Sequence, residues 1–467
     1  MDPEMVFPAV LFDYWFASYA VIATVFFFLA VISKNNAKFY GVIAGLSALF
    51  SFLSLIFATI YATLAGMAAG SVTGTFQFAI SIVLLICGVF LVYFALDAKN
   101  KVKAKEACYS TFLLAICMFL IGSYLLVDVL PTLIRNFNLS LTDWSVLENH
   151  IISYQMVIPF PIERTMITII PLTLFVIGAY MLKEMKSKRY ESNAMQEADK
   201  FLKTYSKLDL EISRKLYHVV IIVVLVCYLF VGKLVIDVIY QFTLLGLPSI
   251  PSSVPGQVIY DTIIAAPSTG LLDFRAGHLL LILAVGWIMV ILLFTDVVRI
   301  KQYRYYPIKM LAKVYRDKER LVLAPHIYLT TGIFFVLIVS SMIDQLTNTP
   351  AYLSYSAHIV TVTIMVSALA DAVATIVGIT KGKRHIKGGK KTWEGWIAGF
   401  ISAVLLGLMS FVVLMPLYGG DLLVGILMSI VAAIVFGLID YFSPPISDNI
   451  LNPIAIGLVL WGIAFLF

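Results

Sequence analysis

Residues 352–378 read YLSYSAHIVTVTIMVSALADAVATIVG, residues 379–392 continue ITKGKRHIKGGKKT, and residues 393–416 run WEGWIAGFISAVLLGLMSFVVLMP. A hydrocarbon core is crossed by about 20 apolar residues of helix, and both flanking runs are long enough. Their apolar residues are continuous rather than alternating, which is the pattern of a membrane helix and not of a barrel strand. Between them lie six Lys or Arg residues and no acid until Glu394. The stretch is therefore read as two membrane helices joined by a cationic loop on the side where positive charge collects.

The same alternation extends over the whole chain. Apolar runs fall near 10–33, 39–64, 76–96, 108–130, 166–184, 216–238, 274–298, 321–344, 352–378, 393–416, 422–440 and 450–467, twelve in all. The loops at 34–38, 97–107, 183–215, 299–320 and 380–392 are rich in Lys and Arg. The N-terminal tail and 65–75, 232–273, 345–351 and 417–421 hold one lysine between them, Lys233. The expected fold is all-α and polytopic, with about twelve transmembrane helices, the basic loops in the cytoplasm and both termini outside. A cell membrane of an archaeal or bacterial type and an endoplasmic reticulum membrane both suit this pattern.

Composition excludes the other classes. The chain of 467 residues is 61% hydrophobic and 13% charged, against about 45–50% and about 25% in soluble proteins. A net charge of +6 is accounted for by loops on one membrane face and does not suggest nucleic-acid binding. Cys87, Cys108, Cys117 and Cys227 have no metal-ligand spacing and read as free, packed thiols. No Lys or Arg precedes Lys34, so the first run lacks the basic flank of a signal peptide and is expected to be a retained span. The polar segment 185–213 is the strongest break in composition. It separates a five-helix region (1–184) from a seven-helix region (214–467), and no internal repeat of the kind found in many transporters is visible.

Ionisable residues at membrane depth are functional candidates. Asp371 lies inside an apolar helix, with Ser367 and Thr375 four residues to either side, and Ala370, Ala374 and Gly378 form a row that admits another backbone closely. The following loop carries Lys383, Arg384, Lys387, Lys390, Lys391 and Thr392, then Glu394. A carboxylate beside a cationic, glycine-containing loop suits a metal-bound polyphosphate. Asp371 would hold Mg²⁺ through oxygen, and the lysines and loop amides would neutralise phosphate. The alternative is a loop that merely anchors the hairpin. Gly389-Lys390-Lys391-Thr392 is not a Walker loop, because the required earlier glycine and strand are missing.

Two further clusters share that side. Glu211, Arg214 and His218 stack at helical spacing beside Lys215. Lys215 reads equally well as a snorkelling anchor, whereas His218 lies a turn inside the apolar run, where a proton shuttle or phosphate ligand fits better. The last loop offers Asp440, Asp448, Asn449 and Asn452. Asp448-Asn449 reads as a helix N-cap; alternatively, the two acids and two amides together make a second set of oxygen ligands. Asp296 with Arg299, and Asp317 to Arg320, complete the basic face, while His150, His278 and His358 read as structural.

The combination of Arg-Lys-x-x-His (Arg214, Lys215, His218), Pro-His-x-Tyr (Pro325, His326, Tyr328), Ala-Asp-Ala-x-Ala-x-x-x-Gly from Ala370, Lys-Lys-Thr-x-Glu-Gly from Lys390 and Asp-Asn-x-x-x-Pro from Asp448 resembles the polyprenol kinases. Within that family it is most similar to the CTP-dependent dolichol kinases. The likeness covers about 208–467. The Asp…Lys-Lys-Thr-x-Glu-Gly part is also similar to the CDP-diacylglycerol synthases, but their Gly-His-Gly-Gly…Asp-Arg segment is missing here. The resemblance implies transfer of the γ-phosphate of CTP to the terminal hydroxyl of a long polyprenol or dolichol within the lipid bilayer, with Mg²⁺ as cofactor. It implies Asp371, His218, Arg214 and Glu394 as catalytic, with Asp371 and Asp448 on the metal. Lys215, Lys383, Arg384, Lys387, Lys390, Lys391, Thr392 and Asn449 would lie on nucleotide or phosphate. The choice of CTP over ATP rests on the resemblance alone. A lipid-phosphate cytidylyltransferase and a lipid-phosphate transporter are the alternatives. All five motifs lie beyond residue 208, so the first five spans are expected to be dispensable for chemistry.

Overall fold

The computed structural model describes residues 3–33, 35–65, 75–138, 162–186, 219–226, 274–308, 321–346, 355–386 and 391–467, with Glu319 and scattered positions between 228 and 238. Its helices are α1 (Pro3–Ile32), α2 (Ala37–Ala65), α3 (Thr75–Asp97), α4 (Lys105–Asn138), α5 (Ile162–Lys186), α6 (Val219–Val226), α7 (Phe274–Lys301), α8 (Pro325–Leu346), α9 (Ser356–Met365), α10 (Asp371–Lys381), α11 (Trp393–Tyr418), α12 (Leu422–Phe442) and α13 (Asp448–Ala464). Among the described residues the β structure is a single bridge between His385 and Thr392. Helices satisfy their own backbone groups, as a lipid environment requires. Among the described residues ten spans are long and apolar enough to cross a membrane, and α9 and α10 together make one of them, Ser356–Lys381. The chain is an all-α polytopic membrane protein.

Ten of the twelve expected runs are thus helices of spanning length. The run at 216–238 is described in part, with α6 (Val219–Val226) as its continuous helical stretch. The last run forms α13, which at 17 residues is shorter than the ~20 of a full crossing. Cys87, Cys108 and Cys117 are free and buried, as expected; Cys227 lies outside the described residues.

Packing divides the chain differently from composition. One compact unit comprises Met1–Leu91, Ala115–Lys188 and Gly232–Pro307; the other comprises Val92–Leu114, Arg189–Val231 and Ile308–Phe467. By these contacts α7 groups with the first unit, and the end of α3, the π turn Ala98–Val102 and the start of α4 group with the second.

The first unit has an aromatic interior. Phe28 stacks on Phe90 at 4.4 Å and meets Phe294 edge-on at 5.7 Å. Asp296 and Arg299 form a buried ion pair on α7, so they compensate each other locally. In the second unit, α11 and α12 each present two faces. Ile397, Ile401, Leu405, Met409 and Val412 are exposed at helical spacing, as are Leu423, Leu427, Ile430, Ile434 and Leu438. In a bilayer these rows face acyl chains. The opposite faces carry small residues, because helices in lipid associate by close packing rather than by hydrophobic exclusion. A Cβ on Gly395 would lie 2.7 Å from the Ala374 carbonyl oxygen and 2.9 Å from the Gly378 Cα, and one on Gly399 would lie 2.7 Å from the Ala374 Cβ. The small-residue row read on α10 is therefore the contact face, and its partner is the start of α11.

Candidate functional site

The backbone of α9–α10 is interrupted by a π turn, Val366–Ala370, immediately before Asp371. Single π turns inside helices cluster at functional sites. Asp371 is buried, and its carbonyl accepts the Thr375 hydroxyl at 2.8 Å. That hydroxyl is thereby committed to the backbone. The Ser367 hydroxyl, buried within the π turn, has no hydrogen-bond partner.

The loop after α10 folds back as a tight ribbon. Ile386 N–H donates to the Lys391 carbonyl at 2.9 Å, and Trp393 N–H donates to the Arg384 carbonyl at 2.9 Å. Thr392 is the N-cap of α11, its Oγ1 accepting the Gly395 N–H at 3.3 Å. Glu394 accepts the backbone N–H groups of Lys383 at 3.1 Å and Arg384 at 3.3 Å. These two residues build the loop. Glu394 orients loop backbone rather than a lysine side chain, and Thr392 is buried with its hydroxyl in the cap. Lys383 and Arg384 are exposed. Lys387 and Lys390 lie outside the described residues.

Lys391 joins the motifs. Its Nζ donates to Asp440 Oδ1 and lies 3.8 Å from Asp448 Oδ2. Partial burial disfavours the ammonium, but the charges of Asp448, Asp440 and Asp371 outweigh it and hold the Lys391 pKa above the ordinary lysine value. Asp371, Lys391, Asp440 and Asp448 thus form one electrostatic cluster where the helix ends at 381, 393, 442 and 448 come together. Its Lys391 and Asp448 side chains are 35% and 36% exposed, so solvent reaches it from one side.

Asp448 is the first residue of α13, not its N-cap; Ser447 holds that position without a side-chain cap bond. Asn449 Nδ2 lies 3.4 Å from both Ser447 Oγ and Asp448 Oδ1. The sequence offers Asp440 beside Asp448 as a loop acid for oxygen ligation, and in the structure Asp440 is the nearer of the two to Lys391. No spacing signal links residues 49 apart; a buried acid at the end of a membrane helix was the available clue. A second unexpected contribution comes from α4. Ser110 Oγ accepts the Ser447 N–H at 2.7 Å, and the Thr111 hydroxyl bonds the Tyr328 hydroxyl at 2.9 Å. Both contacts lie within the second unit; the first holds the loop that leads into Asp448, and the second joins α4 to α8.

Arg214, Lys215 and His218 lie outside the described residues. His358 packs its ring 4.2 Å from that of Phe411, in keeping with a structural role.

Mg²⁺ suits this donor set in one way only. No three of Asp, Glu, His or Cys among the described residues are poised to hold a metal by themselves. Mg²⁺ usually takes one or two carboxylates and completes its shell with water and substrate phosphate, and Asp371 and Asp448 can supply the carboxylates. Three acids against one lysine leave the described cluster negative, so it matches a metal-escorted phosphate better than a bare anion.

The architecture and the cluster define a multi-pass membrane protein with a charged site at one end of its second unit. No family model, curated protein or solved structure matches the chain.

Proposed function

We propose that the protein is a polyprenol kinase of the dolichol kinase type, which transfers the γ-phosphate of CTP to the terminal hydroxyl of a long polyisoprenoid alcohol. The observation that carries this reading is the meeting of Lys391 with Asp440 and Asp448, within electrostatic reach of Asp371. Motifs some 80 residues apart in the chain, whose order resembles that family, converge on one half-open cluster. The basic loops support a cytoplasmic position for this cluster under the positive-inside rule, where a nucleotide would arrive from water and a lipid hydroxyl between helices.

Asp371 and Asp448 would hold Mg²⁺, which when bound offsets phosphate charge. The protein's own part is positioning and charge neutralisation, the main needs of phosphoryl transfer. Lys391 moves from its carboxylates to a phosphate oxygen. Glu394 and Thr392 keep the loop amides in place. Asp371 or His218 accepts the hydroxyl proton as the β–γ bond breaks, the new O–P bond forms and CDP leaves.

The test follows the phosphate. With γ-labelled CTP and a polyprenol, purified protein is expected to put label into the lipid fraction. With α-labelled CTP the label stays in water as CDP. Label reaching a lipid phosphate from the α position alone would instead identify a cytidylyltransferase. If neither label moved while lipid phosphate crossed a vesicle bilayer, transport would replace the kinase reading.

A further inference from the structure

The first unit contains a polar cluster that the proposed chemistry does not use. Asp13 on α1, Gln77 on α3 and Glu163 on α5 are each no more than 1% exposed. Gln77 Nε2 donates to Asp128 Oδ2 at 2.6 Å and to the Leu125 carbonyl at 3.2 Å. Both partners are pure acceptors, so the amide cannot be flipped, and Gln77 Oε1 is left without a donor. The Glu163 carboxylate accepts the backbone N–H of Gln77 in the first turn of α3, yet Glu163 Oε2 has no partner. Asp13 has none on either oxygen. Arg164 approaches Asp13 Oδ1 only to 3.7 Å. Its guanidinium instead donates to Thr59 Oγ1 at 3.0 Å and lies 5.9 Å from the Phe76 ring centre.

Four buried acceptor oxygens thus have no hydrogen-bond donor from the protein, and the Arg164 guanidinium pairs loosely with Asp13 at 3.7 Å. The charged and titratable groups facing them are Arg164 on α5 and Asp128 on α4, with Tyr124 within the influence of Asp128; α2 contributes the Thr59 hydroxyl. The sequence offers little else: residues 1–33 and 65–75 have no Lys or Arg, and 131–165 has only Arg135 and Arg164. An unbalanced carboxylate sealed in a membrane protein costs heavily, and a buried water would satisfy an acceptor without balancing the charge. No three acids here are poised as a metal cage, which disfavours a multivalent ion.

We propose that Asp13, Gln77 and Glu163 form a binding site for one small monovalent cation, either a proton or Na⁺. Asp13 and Glu163 supply the charge, and Gln77 Oε1 supplies a neutral oxygen.

The full-length protein in nanodiscs tests this in two arms. Dialysis against radioactive sodium is expected to leave one bound equivalent per chain, displaced by unlabelled NaCl and not by choline chloride, if the ion is Na⁺. If it is a proton, the infrared spectrum at neutral pH contains a carboxylic acid C=O band that shifts in D₂O. Either signal is lost in Asp13→Asn or Glu163→Gln. Both changes remove charge while keeping volume, and Gln77→Met is a further variant that removes only an acceptor. Wild-type protein showing neither signal overturns the proposal, as does a signal that survives in all three variants.

Discussion

The two polar clusters differ in the way their charges are balanced. In the second unit, Lys391 lies against Asp440 and near Asp448 and Asp371, with about a third of its side chain exposed. In the first, Asp13 and Glu163 are sealed, and their one cation turns toward Thr59. An exposed ion pair contributes little to stability and exchanges partners readily, which suits a lysine that must pass from carboxylate to phosphate. A sealed excess charge cannot exchange with bulk water and instead demands its own counter-ion. The difference separates a site that handles a large anionic substrate from one that holds a small cation.

The harshest way to break this comparison is to remove the first five spans, which takes most of the first unit and the 92–114 segment of the second. A chain beginning at Lys186 keeps every motif of the kinase resemblance, and the sequence alone led us to expect activity from it. Contacts within the second unit argue for the opposite outcome. Such a chain loses Ser110 and Thr111, which hold the Ser447 N–H and the Tyr328 hydroxyl, and it loses the small core of Ala98 and Ala107 against Val322. No lipid phosphorylation above background is expected from it. Ser110→Ala in the full chain is the graded form: it leaves a buried N–H without its acceptor, a cost of about 1–3 kcal/mol. A truncated chain with wild-type turnover would show that α4 is irrelevant to the site.

Next in size is the contrast between two aspartates. Asp371→Asn keeps shape and removes charge at the proposed metal, so phosphoryl transfer should fall at least about 100-fold, the scale of losing a preorganised electrostatic contact. Asp13→Asn, remote in function, should leave the turnover of folded protein near wild type. Rates per folded molecule, with folding followed by size-exclusion chromatography, check both. Comparable losses in the two variants would dissolve the functional distinction between the clusters.

How much of this was legible in the sequence depends on the range of the interaction. The spans were readable because hydropathy is a local property, and ten of them are helices of crossing length. Asp371, Lys391 and Asp448 were readable because each stands out against its own neighbours. Asp440 as the partner of Lys391, Ser110 as the clamp on Ser447, and the transfer of α7 to the first unit were not, since each depends on contacts between distant segments. Asp13 and Asp128 stand near the ends of apolar runs, a position that by itself suggests interfacial acids. Asp13 is nevertheless fully buried, with Glu163 of α5 within electrostatic reach of it, a proximity that no local pattern encodes.

The mildest test compares glycines in the two units, by thermal unfolding in a single detergent. Gly178 on α5 and Gly395 on α11 are both helical, and a helical Gly→Ala change in open space stabilises by up to about 1 kcal/mol. Around Gly178 a new Cβ meets nothing within 4 Å, so Gly178→Ala should raise the midpoint slightly or leave it unchanged. At Gly395 the same methyl would sit 2.7 Å from the Ala374 carbonyl oxygen and 2.9 Å from the Gly378 Cα. Both are backbone atoms of a neighbouring helix and cannot rotate away. Overpacking of that kind costs about 1–3 kcal/mol, so the two variants should move in opposite directions. Gly395→Ala should also weaken phosphoryl transfer by more than its loss of folded protein. Separating α10 from α11 displaces Asp371 relative to Lys391, and a small displacement of groups that position substrate is felt in rate before it is felt in stability. Equal midpoints for the two variants would mean that the α10–α11 contact is looser than these distances indicate.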